Sequence, residues 1–352
     1  MNKDIVHVLV GTYTRNTDSE GIYLLSWDKS DDKLRIKSIQ EQCSDPNFLA
    51  ASAQASLVFA VNEGPDCAWL SAYRTDSNGG LVYLDKVRIP GEAPCHISTN
   101  REGTAVYFAN YVSGEIGRAS FSPDNGAFLE LNTVQCCGHS IGERQKSAHP
   151  HAVHLTPGER WVLVPDLGTD TVYCFDAALA SPSPACLLRV APGDGPRHIA
   201  FHPFMPAFYL VCEINNCVYA YAFDEDRPAF AEWQRLELLP EIQGEWIASE
   251  IEVSSDGCWL YCANRSWGDA GMSNGRITSF KIDANGRLSS RIISDCQGAH
   301  PRSFCLGGND RVLIANQYSD EIVLCSCDAK TGRINLAKDR IAIPQPTFVG
   351  IL

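Results

Sequence analysis

The segment WVLVPD, residues 161–166, decides the fold, because it is one of six similar segments in the chain of 352 residues. Each is a short apolar run that ends in an acid or an amide. The six are LVFAVNE ending at Glu63, AVYFAN at Asn110, WVLVPD at Asp166, FYLVCE at Glu213, WLYCAN at Asn264 and RVLIAN at Asn316. The steps between these last residues are 47, 56, 47, 51 and 52. The chain is therefore an internal repeat with a period of about fifty residues.

A repeat of this length matches one four-stranded blade of a β-propeller. The steps span 253 residues and leave 99, enough for about two more repeats. We predict an all-β fold: a seven-bladed β-propeller of four-stranded antiparallel blades, forming a single domain over residues 1–352. The N-terminal HVLVGTYT should lie beside the C-terminal TFVGIL and close the ring, leaving no strand edge unpaired. A doubly wound α/β fold is disfavoured, since no GxGxxG or GxxxxGK[ST] loop is present.

Composition narrows the classes of partner. The chain has 42 acidic and 29 basic residues and a formal net charge of −13. We therefore expect neither nucleic acid nor a membrane surface as a partner, although a local arginine cluster could still bind a small anion. The 15 cysteines are odd in number and include no CxxC pair, and the N-terminus lacks a signal-peptide layout. We expect a cytoplasmic protein with reduced thiols.

Strand direction predicts where polar groups collect. In each repeat, the start of the first strand and the end of the second should share one axial mouth. The start positions hold His96, His149, His151, Arg197, His198, Glu250, Glu252 and Arg302; the end positions hold Glu63, Asn110, Asp166, Glu213, Asn264, Arg265, Asn316 and Gln317. Such a set suits an anionic, oxygen-rich small molecule, with arginine forks binding the anion and His or Glu moving protons.

Structural roles compete with these functional ones. Acids and amides after a strand often cap turns, which is the alternative for Asn110, Asp166, Asn264 and Asn316. Arg265 and Arg302 could instead pair with acids as internal staples. His149 and His151 could form half of a metal site, since residues i and i+2 of a strand face the same way. No matching ligands accompany them, so we expect neither a metal nor another cofactor. His154 should point the opposite way.

Longer phrases carry a family resemblance: VGTYT, EAPCHISTNREGTAVYFANYVSGEI, HPHAVHLTPGERWVLVPDLGTDTVYCFD, GPRHIAFHP, EIEVSSDGCWLYCANR and GAHPRSFCLGGNDRVLIANQYSDEI. In these the sequence resembles the seven-bladed propeller lactonases, which group bacterial 6-phosphogluconolactonases with fungal carboxy-cis,cis-muconate cyclising enzymes. The resemblance implies a catalytic set of one His, two Arg and one Glu. These correspond to His151, Arg197, Glu213 and Arg265, with His149 as a second candidate for the histidine. The substrate-binding candidates are His149, His96, Asn110, Asp166, His198, Asn264, Arg302 and Asn316.

Three functions follow as expectations. The first is hydrolysis of a sugar lactone, with 6-phosphogluconolactone as the first substrate implied by the resemblance. The second is reversible lactonisation of a carboxylated muconate. The third is a non-catalytic interaction platform, which is disfavoured because the Trp-Asp pair typical of such propellers occurs only at Trp27-Asp28 and does not recur. The oligomeric state is left open.

Overall fold

The computed structural model describes residues 5–41, 43–52, 54–64, 67–76, 79–267 and 274–352. Within these ranges the chain forms seven four-stranded sheets and one short 3₁₀ helix, Gln317–Ser319. We call the sheets blades 1 to 7. All-β content in four-stranded units was the prediction from the fifty-residue period, and it is confirmed.

Twenty-eight strands of the described residues build the blades. Blade 1 contains β1 (Ile5–Thr12), β2 (Ile22–Asp28), β3 (Lys33–Gln40) and β28 (Pro346–Ile351); blade 2 contains β4 (Phe48–Ala51), β5 (Leu57–Glu63), β6 (Ala68–Thr75) and β7 (Leu81–Ile89); blade 3 contains β8 (Pro94–Thr99), β9 (Ala105–Asn110), β10 (Glu115–Ser122) and β11 (Ala127–Gln135). Blade 4 contains β12 (His154–Leu155), β13 (Trp161–Asp166), β14 (Thr171–Asp176) and β15 (Cys186–Arg189); blade 5 contains β16 (Pro196–Phe201), β17 (Ala207–Cys212), β18 (Cys217–Asp224) and β19 (Ala229–Glu237). Blade 6 contains β20 (Glu245–Val253), β21 (Trp259–Trp267), β22 (Gly275–Ile282) and β23 (Leu288–Asp295); blade 7 contains β24 (Pro301–Leu306), β25 (Arg311–Asn316), β26 (Glu321–Cys327) and β27 (Ile334–Ala342).

Strand order agrees with the repeat. In blades 2 to 7 the strands lie side by side in chain order, so each connection joins neighbouring antiparallel strands. Blade 1 is the exception, with the order β28-β1-β2-β3. The C-terminal strand therefore lies beside the N-terminal strand. This confirms the predicted pairing of TFVGIL with HVLVGTYT, and it removes an exposed edge at both chain ends.

Contacts divide the chain into two compact units. The first contains the described part of Met1–Val10, together with Leu25–Arg35 and Arg197–Ile351. It contains blades 5, 6 and 7, except for Pro196, the first residue of β16. The second contains Gly11–Leu24, Ile36–Pro196 and Leu352, and it holds blades 2, 3 and 4. Blade 1 contributes residues to both units. The prediction of a single domain over residues 1–352 stays a prediction.

Alternating side chains of one strand enter two different cores. In the first unit, Leu260 and Cys262 of β21 pack with blade 5, whereas Tyr261 and Ala263 pack with blade 7. In the second unit, Val106 and Phe108 of β9 belong to one core, and Ala105, Tyr107 and Ala109 to another. Each fully buried large apolar side chain contributes about 1.5–3 kcal/mol. This two-sided burial explains why the compact strands are apolar at nearly every position rather than at alternate ones.

Two further features concern the cysteines and the helical content. None of the fifteen cysteines forms a disulfide, and most lie at buried or half-buried positions. Burial raises the pKa of Cys296 and of Cys325 to about 12, so these thiols behave as small apolar groups. The described residues contain no helix with the length and hydropathy needed to cross a membrane.

Candidate active site

Three residues of the predicted catalytic set lie together in the first unit. Arg197 is the second residue of β16, Glu213 directly follows β17, and Arg265 lies in β21. The Nε of Arg197 donates to Oε2 of Glu213 at 2.8 Å, and Nη2 of Arg265 lies 3.1 Å from the same oxygen. All three side chains are only 3% exposed. One carboxylate oxygen therefore accepts a hydrogen bond from Arg197 and forms an ion pair with Arg265.

Local backbone structure fixes Glu213. Cys212 and Cys217 are paired across β17 and β18, so Glu213 opens a tight turn between these strands. Its carbonyl oxygen accepts from the backbone N–H of Asn216 at 3.4 Å and from that of Ala248 at 3.2 Å. The second of these bonds ties the turn of blade 5 to blade 6. The carboxylate thus projects from a backbone held on two sides.

The loop before Arg197 is held by an aspartate of the VPDLGTD phrase. Asp170 is 4% exposed and accepts from the backbone N–H groups of Gly193 and Gly195 at 2.6 and 2.7 Å. Both glycines have positive φ, 93° and 68°, which other residues adopt only with strain. The Gly-Asp-Gly-Pro loop is therefore a fixed turn that leads into β16. It does not form the N-terminus of a phosphate-binding helix.

Arg197 uses only part of its hydrogen-bonding capacity. Its Nη1 donates to the carbonyl oxygen of Ser249 and, at 3.2 Å, to Nε2 of His198. Together with the Nε bond to Glu213, this engages three of the five N–H groups. The Nη2 amino group makes no hydrogen bond to any residue in the described part of the chain. Two donors of a buried cation are thus left for a ligand.

His198 is held between Arg197 and an acid. Arginine can only donate, so the Nε2 of His198 that faces it accepts. The other ring nitrogen, Nδ1, lies 2.8 Å from Oε1 of Glu250 and donates to it. His198 is 1% exposed. The residue predicted to bind substrate therefore orients Arg197, and direct contact with a substrate remains a prediction.

The sequence analysis missed His300. This residue is 3% exposed, and its Nε2 lies 3.2 Å from Nη1 of Arg265. Its ring packs on Tyr318 with centroids 4.0 Å apart. A signal is present in the sequence, because His300 directly precedes β24 in the phrase His300-Pro301-Arg302, as His149-Pro150-His151 precedes β12. Of this phrase, only Arg302 is among the predicted site residues.

Arginine charge dominates the electrostatics of this cluster. Burial lowers the pKa of Arg197, which Glu213 opposes and Arg302 reinforces. Burial also lowers the pKa of His300 to about 2, with Arg265 and Arg302 contributing further. His300 is therefore neutral at any physiological pH, while the arginines keep their protons. With three guanidinium groups facing Glu213 and Glu250, the cluster has a net positive charge that favours an anion.

The two histidines of the HPH phrase lie in the second unit, around Tyr111. His149 stacks on its ring with centroids 4.7 Å apart, and His151 meets the same ring edge-on at 5.4 Å. His149 is engaged through both ring nitrogens, with the Tyr111 carbonyl oxygen at 2.7 Å and Ser147 Oγ at 3.3 Å. His151 is 6% exposed. Both rings thus contact Tyr111, although His149 and His151 precede β12 and do not lie in a strand.

His96 lies in an aromatic cluster. Its ring contacts Phe48 and His154, with centroids 4.4 and 4.8 Å apart, and its Nδ1 accepts from the backbone N–H of Val153 at 3.3 Å. The ring is 4% exposed. These contacts give His96 a packing role within blades 2 to 4, and its predicted substrate contact stays a prediction.

The amides after the compact strands serve as caps, which was the structural alternative. Asn110 donates to the carbonyl oxygen of Pro90 at 2.7 Å, and Asn316 to that of Cys296 at 3.2 Å. Asn264 donates to Asn216 and accepts from Thr278, both at 2.8 Å. All three amides are fully buried. Their side chains bind to neighbouring turns, so a direct role with a substrate is untested.

Asp166 is a buried cap with an unusual charge state. Its Oδ1 accepts from the backbone N–H groups of His149, Gly168 and Thr169 at 2.8, 2.9 and 3.2 Å. Burial, opposed by these three bonds, raises the pKa of its carboxyl group to about 7. Gly168 allows the close packing, because a Cβ there would overlap the carbonyl oxygen of Ser147. Asp166 thus fixes the backbone that presents His149.

The other acids of the predicted mouth have separate partners. Glu63 pairs with Arg15 at 3.0 Å, beside a cavity of about 410 Å³ in the second unit. Burial raises the pKa of Glu252, which accepts from the Leu306 backbone N–H, to about 8. In the described part of the chain, no three His, Cys, Asp or Glu side chains are grouped so as to hold a metal ion.

Known proteins share this sequence and fold over nearly the whole chain. The 6-phosphogluconolactonase of Bacillus subtilis (strain 168) is 29% identical over 347 residues, covering 97% of both chains. A crystal structure of a putative 6-phosphogluconolactonase from Bacteroides fragilis NCTC 9343 matches with a TM-score of 0.87 and 28% identity, covering 100% of this chain and 99% of that one. The periplasmic gluconolactonase of Pseudomonas aeruginosa matches with a TM-score of 0.86 and 27% identity, covering 99% of each chain.

The family comparison is equally extensive. The family model described as "Lactonase, 7-bladed beta-propeller" matches residues 7–351. This range includes every blade, the arginine cluster and the HPH phrase. It agrees with seven four-stranded sheets and with the family resemblance of the repeated phrases. The chain therefore belongs to the seven-bladed β-propeller lactonase family.

Proposed function

We propose that this protein hydrolyses a sugar lactone to the open sugar acid. The observation on which this rests is the buried Arg197, which keeps its Nη2 donors unused within the described part of the chain while its other N–H groups are fixed. A lactone carbonyl oxygen becomes negative as water adds to the carbon. Fixed cationic donors aimed at such an oxygen stabilise the transition state, because they need no reorganisation.

The proposed roles follow from what each group can donate or accept. Nη2 of Arg197 binds the developing oxyanion, and Arg265 and Arg302 supply positive charge for the anionic part of the substrate. Glu213 holds the two guanidinium groups through one oxygen, and its other proposed role is proton transfer. Water forms the new C–O bond, the ring C–O bond breaks, and the proton released by water ends on the ring oxygen.

A histidine is proposed for the second proton-transfer role. His149 already contacts Ser147 Oγ and the Tyr111 carbonyl oxygen through its two ring nitrogens. The family resemblance implies His151 first, so we propose His151 for this role and keep His149 as the second candidate. We propose that its ring transfers a proton during lactone opening.

For the substrate we propose 6-phosphogluconolactone first. The Bacillus subtilis relative is named a 6-phosphogluconolactonase and the Bacteroides fragilis structure a putative one, and the positive charge of the arginine cluster suits a phosphate group. The Pseudomonas aeruginosa neighbour is named a gluconolactonase, so an unphosphorylated lactone is the competing substrate. We propose a cytoplasmic location, which fifteen cysteines outside any disulfide favour.

The test is a substrate panel with purified protein. Proton release in weak buffer is followed for 6-phosphogluconolactone, gluconolactone and a carboxylated muconolactone, and the spontaneous opening rate is subtracted. We expect the phosphorylated lactone to give the highest kcat/KM. A preference for gluconolactone would make the unphosphorylated lactone the substrate. A change of ultraviolet absorbance with a carboxylated muconate, without opening of either sugar lactone, would favour cyclisation. No rate above spontaneous opening with any lactone would refute the proposed function.

A further inference from the structure

His300 and Arg265 form a buried pair that the proposed reaction does not yet use. We propose that His300 is a positioning residue, a neutral hydrogen-bond acceptor that fixes the guanidinium group of Arg265 for the substrate. The inference deepens the proposed function and rests on it for the identity of the substrate. It adds a residue and a protonation state to the site.

The tautomer of His300 follows from its neighbour. Nη1 of Arg265 is 3.2 Å from Nε2 of His300, and arginine has no acceptor atom, so Nε2 must accept. The proton of the neutral ring is then on Nδ1. That nitrogen is buried and has no hydrogen-bond partner among the described residues. One nitrogen of the ring is therefore hydrogen-bonded. Within the described residues, the bond to Arg265 is the only hydrogen bond that the imidazole makes.

The charged surroundings keep this ring neutral. Arg265, Arg302 and Arg197 oppose protonation of His300, Glu213 favours it, and burial is the largest influence against it. Tyr318 packs on the ring with its centroid 4.0 Å away. A protonated ring would lose its acceptor and repel Arg265. The contact exists only in the neutral state, so it does not change over the physiological pH range.

Neutrality has a consequence for anion binding. A carboxylate at this position would also accept from Arg265, but it would cancel one of the positive charges that attract the substrate. Arg265 already faces Glu213 at 3.1 Å. Nη2 of Arg265 also donates to the Ala248 carbonyl oxygen at 3.2 Å. The imidazole supplies the acceptor for Nη1 and leaves the net charge of the cluster unchanged. His198 accepts from Arg197 in the same way, but its Nδ1 is hydrogen-bonded to Glu250.

The backbone of His300 is held in an unusual conformation. Its φ is 59°, in the left-handed region where asparagine, aspartate and histidine are enriched among the residues other than glycine. The His300 carbonyl oxygen accepts from the Gln317 backbone N–H at 3.1 Å, and the ring rests on Tyr318. Asparagine therefore tolerates this backbone as histidine does, whereas glutamine does not share that preference. Backbone tolerance and the acceptor function can thus be separated by substitution.

The experiment compares two amide replacements. In His300→Gln the side-chain oxygen can reach the place of Nε2 and accept from Arg265, whereas in His300→Asn the amide reaches only the place of Nδ1. Asparagine tolerates the left-handed backbone better than glutamine does. Glutamine, in turn, is the amide whose oxygen can reach Arg265. We expect His300→Asn to lose about tenfold to a hundredfold in kcat/KM through misplacement of Arg265. We expect His300→Gln to stay within about threefold of the unchanged protein, a difference below 1 kcal/mol.

A charged variant and a control complete the set. His300→Glu keeps an acceptor but removes the net charge, so we expect weaker binding of 6-phosphogluconate, with Kd raised about tenfold. The control is His202→Asn in the same unit, where Nδ1 accepts from the Phe204 and Met205 backbone N–H groups at 3.1 Å and asparagine can replace it. Its kinetics should not change. Thermal midpoints of all variants are measured alongside.

The outcomes separate the two proposals. Higher activity in His300→Asn than in His300→Gln, or equal activity in both, would overturn the positioning role. If the unchanged protein opens no lactone, the proposed function fails and nitrogen-15 NMR decides the inference by itself. The His300 signal, assigned by its loss in His300→Asn, should report a neutral ring with the proton on Nδ1 from pH 5 to 8. Protonation in that range, or a proton on Nε2, would overturn it.

Discussion

Replacing Arg197 by lysine tests the proposed oxyanion contact most directly. Lysine keeps a positive charge beside Glu213, so the carboxylate is not left without a cation, and Arg265 still lies 3.1 Å from it. The ammonium group cannot reproduce the fixed fork that also reaches Ser249 and His198. Above all, the two unused Nη2 donors are lost. Loss of an oxyanion donor lowers kcat by about 10²- to 10³-fold, or about 3–4 kcal/mol of transition-state stabilisation.

The assay is proton release with 6-phosphogluconolactone at saturating concentration, corrected for spontaneous opening. Circular dichroism of Arg197→Lys should show the unchanged β spectrum, because the carboxylate remains paired. Lys146→Ala is the matched control, since Lys146 is 75% exposed and forms an ion pair with the exposed Glu143 at 2.7 Å. A pair of this kind contributes little, so its kcat should be unchanged. If Arg197→Lys keeps a kcat comparable to that of the control, Arg197 does not bind the oxyanion.

Four further outcomes follow from the contacts. Asp166→Asn should gain stability relative to the unchanged protein as pH rises: folding raises the Asp166 pKa from 3.8 to about 7, so stability from this group is full below pH 3.8 and is lost as pH rises through 7. The difference, on the order of 2–4 kcal/mol between pH 4 and 8.5, is measured by urea unfolding, and a difference independent of pH contradicts it. Asn110→Ala should lower the unfolding free energy by about 1–3 kcal/mol and leave kcat/KM unchanged, because its amide caps Pro90; a large kinetic loss at full stability would instead support substrate contact. His151→Gln should lower kcat by about 10²-fold or more if the ring transfers a proton, and the same change at His149 should have the smaller kinetic effect; the reverse order would exchange their roles. Calorimetry should show one transition if residues 1–352 form a single domain, whereas two resolved transitions would show that the two compact units unfold separately.

Much of the fold could be read from the repeat. Six compact segments with a period near fifty residues indicated four-stranded blades, and the leftover length indicated seven of them. The pairing of the chain ends could be predicted because an open repeat leaves strand edges exposed. The continuous apolar runs also had a clear cause, since strands such as β21 face one core with Leu260 and another with Tyr261. These features depend on pattern and chain length, which the sequence contains.

The site was only partly predictable. Strand direction and the family resemblance named Arg197, Glu213 and Arg265, and the structure brings these three together. The role of His300 could not be predicted, because it depends on its contact with Arg265 and on a left-handed backbone. Neither of these follows from residue spacing. Asp166 and Glu213 both end a compact strand, and turn capping was the structural alternative for Asp166. Its three backbone bonds show that it is a cap.

The sequence by itself determined the repeat, the blade number, the pairing of the termini and the residue types available for chemistry, because these follow from periodicity and composition. The tertiary structure decided protonation and partnership. It placed two guanidinium groups on one oxygen of Glu213, kept His300 neutral through burial beside arginines, and left the Nη2 donors of Arg197 unused in the described part of the chain. The physical reason is that charge and hydrogen bonding in a buried cluster depend on ångström-scale distances and on exclusion of water, which a one-dimensional pattern does not specify.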